Sequence, residues 1–293
     1  MNNKIYHDPQ NMAKVKDKIV VFVGGTDGMG RIAFEDLANS GAEIFLLGRT
    51  PNKTKKVIHE VTQKTGNKRI HHVVCDLSLK ESVRHAANEV AKSCSHIDYL
   101  INCAGANIFE HIITSEGHEL SWATNHLGPF LLTNLLLDHL KKAPKARIVN
   151  LSSAMQGLGR IDFDIIEKNK PTSSANRYGM AKLSMIMCTQ ELAKELEGTN
   201  VTINALNPGF INTNLMRRAK GLMMIPQIWS RLFASPPRVG AERILTLVTS
   251  NEYEGVSGKF IYEDYIREPN KQALDLDLVR RVYSVSRKQV GIA

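Results

Sequence analysis

The chain has 293 residues, 43% hydrophobic and 23% charged, which is ample apolar material for a globular core. It contains no run of about 18 apolar residues, which argues against a spanning helix, and residues 1–14 are polar and lack the apolar centre of a signal peptide. The formal net charge of +9 would suit an anionic partner, but the basic residues are dispersed and accompany no nucleic-acid-binding motif, so no nucleic acid is expected.

In chain order, Ile19-Val20-Val21-Phe22-Val23 reads as a buried strand, ended by Gly24-Gly25. A helix follows over residues 28–39, with Ile32, Ala33, Leu37 and Ala38 on one face and Gly41 as its stop. Further strands are predicted over 43–47, 70–75, 99–102, 147–151 and 201–206. Helical patterns lie between them over 52–64, 79–95, 115–142 (broken near Gly128-Pro129) and 176–197. Residues 259–262 complete the series as an edge strand. Regular strand–helix alternation implies right-handed crossovers and a parallel sheet covered on both faces. The fold expected is a Rossmann-like, doubly wound α/β domain over 18–293, preceded by an extension of residues 1–17. Such sheets bind ligands beyond the carboxyl ends of their strands.

Cys75, Cys94, Cys103 and Cys188 form no Cys-x-x-Cys pair and have no histidines at zinc-finger spacing. They read as reduced thiols in an intracellular, cytoplasmic protein, and no metal is expected.

The first strand runs into Gly24-Gly25-Thr26-Asp27-Gly28-Met29-Gly30 and then a helix. Glycines there permit a tight turn and close backbone approach to a pyrophosphate, while the helix supplies free N–H groups and a positive dipole end. A plain strand–helix turn explains many glycine clusters, but this one directly follows a buried strand at the start of a βα series. The second strand ends in Gly48-Arg49, where many dinucleotide enzymes place an acid against the adenosine ribose. A guanidinium there suits a 2′-phosphate, so NADP(H) is favoured over NAD(H), with Lys53, Lys55 and Lys56 adding positive potential. Asp76, followed by Leu77, stands at the end of the third strand, either to accept a bond from adenine or to cap the next helix.

Tyr178 and Lys182 are four residues apart and share a helix face. A phenol is a weak base at neutral pH, and a neighbouring cation is expected to lower its pKa. A Tyr-x-x-x-Lys pair alone is usually a helix surface; the surrounding segments decide. Asn102-Cys103-Ala104-Gly105, Asn150-Leu151-Ser152-Ser153 and Asn207-Pro208-Gly209 with Thr213 occur in an order that resembles the short-chain dehydrogenase/reductase family. Val23 and Cys103 depart from that family's usual threonine and asparagine. Asn125 to Thr133 and Leu158-Gly159-Arg160-Ile161 resemble its retinol-dehydrogenase-like branch, many members of which carry an apolar N-terminal anchor that these residues do not match.

The resemblance implies a catalytic set of Asn125, Ser153, Tyr178 and Lys182. Tyr178 would exchange a proton with the substrate oxygen, Ser153 would hold that oxygen, and Lys182 would lower the phenol's pKa and bind the nicotinamide ribose. Asn125 would kink its helix and hold a water. Successive side chains alternate, so only one of Ser152 and Ser153 can face the site; the resemblance implies that it is the second, Ser153. The resemblance also places Asn102, Ala104, Gly105, Pro208, Gly209 and Thr213 at the cofactor. Residues 157–175 are expected to border the substrate entrance, and Leu215, Met216 and residues 221–229 to form an apolar lid after the sixth strand.

The function expected is reduction or oxidation of a hydrophobic carbonyl or alcohol. The alternatives for the lid patch are a dimer contact or a core-facing helix or, with Arg217, Arg218, Lys220 and Arg231 nearby, a peripheral membrane contact. The alternative is a cofactor-binding pseudoenzyme or redox-sensing scaffold; retention of all four catalytic residue types weighs against it.

Overall fold

The computed structural model describes residues 9–212 and 234–292. Eight strands form one sheet: β1 (Ile19–Val23), β2 (Glu43–Gly48), β3 (Ile70–Val74), β4 (Tyr99–Asn102), β5 (Ala146–Leu151), β6 (Val201–Asn207), β7 (Phe260–Tyr262) and β8 (Tyr265–Ile266). Their order is β3-β2-β1-β4-β5-β6-β7-β8. All neighbours pair in parallel except β7 and β8. The sheet therefore reverses its winding between β1 and β4, the place where a doubly wound fold opens a ligand crevice.

Continuous apolar strands arise because both faces are covered. In β1, Ile19, Val21 and Val23 join one buried cluster, while Val20 and Phe22 join the other. The first cluster is closed by α4 (Lys80–Ser93), α6 (Gly128–Lys142), α8 (Ser174–Glu195) and α10 (Leu276–Val290). The second is closed by α2 (Gly28–Asn39), α3 (Pro51–Thr65) and α9 (Pro237–Thr249). Met12, in the short helix α1 (Pro9–Ala13), and Val15 also enter the second cluster, so these N-terminal residues pack as part of the same body.

Three elements differ from expectation. The helix expected from residue 115 begins only at Leu120, because residues 113–119 close a tight turn with an Ile113–Glu119 bridge and Gly117 at φ 81°. Glu119 then caps α5 (Leu120–Trp122). The break expected at Gly128-Pro129 lies one turn earlier, as a π-helical turn over Ala123–Leu127. It delivers Gly128 against the chain after β3, where a Cβ would stand 2.2 Å from the Leu77 carbonyl oxygen. Finally, β7 is not the edge of the sheet: β8 folds back beside it in a hairpin.

A candidate active site at the winding reversal

A cavity of about 420 Å³ opens beyond the ends of β1, β2, β4 and β5. The expected cofactor residues Gly24, Thr26, Asp27, Gly28, Met29, Gly30, Arg49, Asp76, Leu77, Ala104 and Gly105 line it, together with Tyr178 and Lys182. The glycine turn is closed by contact as well as by torsion. Gly24 has φ 93°, and a Cβ on it would lie 2.5 Å from the Ala104 nitrogen; a Cβ on Gly30 would lie 2.3 Å from the Gly24 oxygen. Only bare backbone fits here, and the first turn of α2 faces the opening. This cradle fits the pyrophosphate of a dinucleotide. Asp76 accepts from the backbone and side chain of Ser78 at 3.0 and 2.7 Å, so it shapes its turn as well as lining the cavity.

Helix α8 carries Tyr178 and Lys182 into the floor of the cavity, 5% and 2% exposed. The Lys182 ammonium lies 5.8 Å from the Tyr178 ring centroid and donates to the Leu151 carbonyl at 2.6 Å. The two serines after β5 divide otherwise than expected, since Ser152 lines the cavity and Ser153 is not among its lining residues. Ser152 is buried and donates to the Lys182 carbonyl at 3.1 Å, whereas Ser153 hydrogen-bonds the Tyr178 hydroxyl. The expected lowering of the phenol's pKa is not what the protein alone produces. Burial pushes Tyr178 up to about 12, opposed by the Ser153 hydrogen bond, and burial pushes Lys182 down to about 8. Loss of water is the largest cause for both groups, and it disfavours the charged form of each.

Asn125 lies in the π-helical turn, completely buried, and its amide is fully engaged. Its oxygen accepts from the Ala106 N–H at 3.0 Å, and its nitrogen donates to the Ala106 and Ser121 carbonyls, each at 2.9 Å. The side chain therefore pins the loop after β4. Asn102 is not among the cavity-lining residues. Its amide nitrogen donates to Thr133 and Asn150 at 3.0 and 2.8 Å, inside the layer between sheet and helices. Pro208 and Gly209 also lie off the cavity wall; the Pro208 carbonyl accepts from the buried Arg243 at 2.6 Å. Thr213, the expected lid and its basic neighbours lie outside the described residues.

Residues 157–175 hold a helix, α7 (Phe163–Lys168), that packs outward on α10. Phe163 stacks under the Arg281 guanidinium at 3.7 Å, and the Ile166 carbonyl accepts from Gln289 at 2.9 Å. Two supports of the site were missed in the sequence. Arg177, adjacent to Tyr178 and buried, pairs with the buried Glu119 at 3.2 Å and donates to the Phe109 carbonyl at 2.7 Å. Glu119 in turn caps α5 through the Trp122 N–H at 2.9 Å, so one guanidinium ties α8, the loop after β4 and the helix leading to Asn125. The second support is a backbone contact. A Cβ on Gly179 would lie 2.5 Å from the Met155 carbonyl oxygen, and one on Gly159 would lie 2.5 Å from the Gly179 carbonyl carbon. Paired glycines let the turn that begins at Ser153 lie directly on α8. A glycine beside the tyrosine was the available signal; nothing in the sequence paired Arg177 with Glu119. Among the described residues, no cluster of three or more His, Cys, Asp or Glu side chains is placed to hold a metal ion, and no helix is long and apolar enough to cross a membrane.

A family profile described as short chain dehydrogenase matches residues 18–221. The chain belongs to that family. This short-chain dehydrogenase is 35% identical to retinol dehydrogenase 13 of Mus musculus over 291 residues, covering 96% of this chain and 86% of the relative. It is 33% identical to retinol dehydrogenase 11 of Homo sapiens over 275 residues, covering 94% and 86%. These relatives place it in the retinol-dehydrogenase-like branch. An uncharacterized protein from Mycobacterium paratuberculosis shares its fold with a TM-score of 0.75 at 24% identity, covering 96% of this chain and 97% of that one. A short-chain dehydrogenase from Escherichia coli, solved with NADPH, superposes with a TM-score of 0.67 at 22% identity, covering 87% and 99%.

Proposed function

We propose that this short-chain dehydrogenase interconverts an alcohol and a carbonyl with NADP(H), acting on a hydrophobic substrate of the retinoid, steroid or lipid-aldehyde class. The observation that carries the reading is the Tyr178 hydroxyl, buried on the cavity floor, hydrogen-bonded to Ser153 and flanked by Lys182. When bound, NADP(H) supplies or accepts the hydride.

The chain's own residues do the rest. The turn of Gly24, Gly28 and Gly30 and the first turn of α2 hold the pyrophosphate, and Arg49 faces the adenosine end of the same cavity. Tyr178 is the proton donor in the reducing direction. A phenol pushed up to about 12 is fully protonated near neutrality, which suits an acid. Ser153 holds the substrate oxygen in reach of that proton, and its hydrogen bond to the phenol orients the hydroxyl. Lys182, held by the Leu151 carbonyl, keeps a cation beside the ring and stabilises the phenolate left after transfer. Asn125 fixes the loop that forms the far wall.

The substrate class is supported by the relatives named as retinol dehydrogenases. The experiment is NADPH consumption against retinals, steroid ketones, and aliphatic and aromatic aldehydes. Turnover of at least one hydrophobic carbonyl, abolished in Tyr178→Phe, is expected. Activity confined to small polar sugars would remove the hydrophobic assignment, and turnover undiminished in Tyr178→Phe would remove the mechanism.

A further inference from the structure

The adenosine end of the cavity contains an acid as well as bases. Asp27 lines it together with Arg49 and Lys53. Its carboxylate caps α2, accepting from the Gly28 N–H at 2.8 Å, and its second oxygen lies 3.7 Å from the Lys53 ammonium. About half of each side chain is exposed, so neither partner is locked by packing. Arg49 is exposed and has no ion pair or side-chain hydrogen bond among the described residues. One carboxylate thus sits where the fold presents backbone N–H groups to an anion, and it occupies one of those N–H groups itself.

We propose that Asp27 and Lys53 form an exchangeable ion pair that sets how strongly the protein prefers NADP(H) to NAD(H). This rests on the dinucleotide reading above. With a 2′-phosphate present, Lys53 leaves Asp27 for the phosphate, and Arg49 is the second cation. With an unphosphorylated ribose, Lys53 stays with Asp27, whose carboxylate is left to accept from the ribose hydroxyls. Asp27 therefore opposes the 2′-phosphate twice, by like charge and by competing for Lys53. The cavity lining carries Arg49, Lys53 and Lys182 against Asp27 and Asp76, a small net positive balance, which gives a preference but a moderated one.

Dissociation constants for NADPH and NADH, with 2′,5′-ADP and 5′-AMP as adenosine fragments, test this by calorimetry without any turnover. Asp27→Asn keeps a good helix cap, so α2 should be retained; Asp27→Ser is the substitute if the amide variant melts early. Either variant should raise the NADPH:NADH affinity ratio by about tenfold at low salt, with the gain fading at high salt, and should shift the fragment ratio likewise. Lys53→Gln should lower both ratios by a similar factor. An unchanged or reduced ratio in the Asp27 variants overturns the proposal, and so does a Lys53→Gln ratio equal to wild type. Wild-type protein that binds neither dinucleotide would instead bring down the cofactor reading itself, a result distinct from any of these.

Discussion

The two ends of the cavity are built on opposite principles. At the adenosine end, Arg49, Asp27 and Lys53 are exposed charges; Asp27 and Lys53 pair weakly at 3.7 Å, Arg49 makes no ion pair among the described residues, and salt screens all three. At the reactive end, Tyr178 and Lys182 are buried, and their neighbours are fixed by backbone: the Leu151 carbonyl, the Ala106 peptide and the Gly159–Gly179 contact. Affinity and cofactor choice are thereby separated from chemistry. Substitutions at the first end should move binding ratios by modest factors, and those at the second should move turnover or stability by large ones.

The strongest test of this division is Tyr178→Phe. Turnover should fall by about 10²–10⁴, the usual contribution of a positioned acid, while the NADPH dissociation constant measured by fluorescence stays within about twofold. A parallel loss of binding would break the separation.

Arg177→Met leaves Glu119 buried without its partner and should cost about 3–5 kcal/mol in urea unfolding. The double change with Glu119→Leu should recover much of that loss in stability, but not the turnover, if the ion pair also sets the pose of α8. Gly179→Val forces a Cβ against Met155 and should cost about 1–3 kcal/mol, with kcat falling more than KM rises as Ser153 moves. A variant that melted early with wild-type kcat would show that the glycine contact matters for packing alone.

A titration reads the same region without substitution. Burial holds His126 down from 6.5 to about 3, with Lys182 adding a smaller push in the same direction. The unfolded chain therefore takes up this proton first. Stability should fall as pH drops below about 6.5 and go on falling toward about 3. Urea midpoints across pH 7 to 4 measure it, and His126→Gln should flatten the slope. The smallest effect belongs to the exposed end: Arg49→Ser should weaken NADPH by about tenfold or less, with NADH unchanged.

The sheet was legible because β1 to β6 are short, β-branched or apolar-rich segments that alternate with helix patterns, even where polar residues interrupt them, as His71 and His72 do in β3. Strand ends moved by only a residue, as at Gly48 and Asn207. The cavity positions of the glycine turn, Arg49, Tyr178 and Lys182 followed from spacing and the family resemblance. The opening of α5 did not, because its register depends on Glu119 reaching a backbone N–H and on the Ile113–Glu119 bridge. Nor did the orientation of Asn102, whose place at a strand end does not say to which face its amide turns. The phenol's pKa was misjudged in sign, since helix spacing shows the nearby cation but not the loss of water that accompanies it.

The way α10 is fastened bears on the order in which the protein assembles. Ser286 meets His126 at 2.7 Å, Gln289 accepts from the Trp122 indole at 2.8 Å, and Arg84 donates to the Val290 carbonyl at 2.6 Å. These contacts join residues 160, 167 and 206 positions apart, so they form only after long stretches of chain have been brought together. A nascent chain can complete β1 to β6 while the helix that carries Asn125 still lacks its outer clasp. The adenosine end is fastened late as well, because Arg238 of α9 pairs with Asp36 of α2 at 2.7 Å across 202 positions. Because the cavity is lined from β1 through α8, a nucleotide bound in it stabilises the assembled sheet as a whole and not its first half alone.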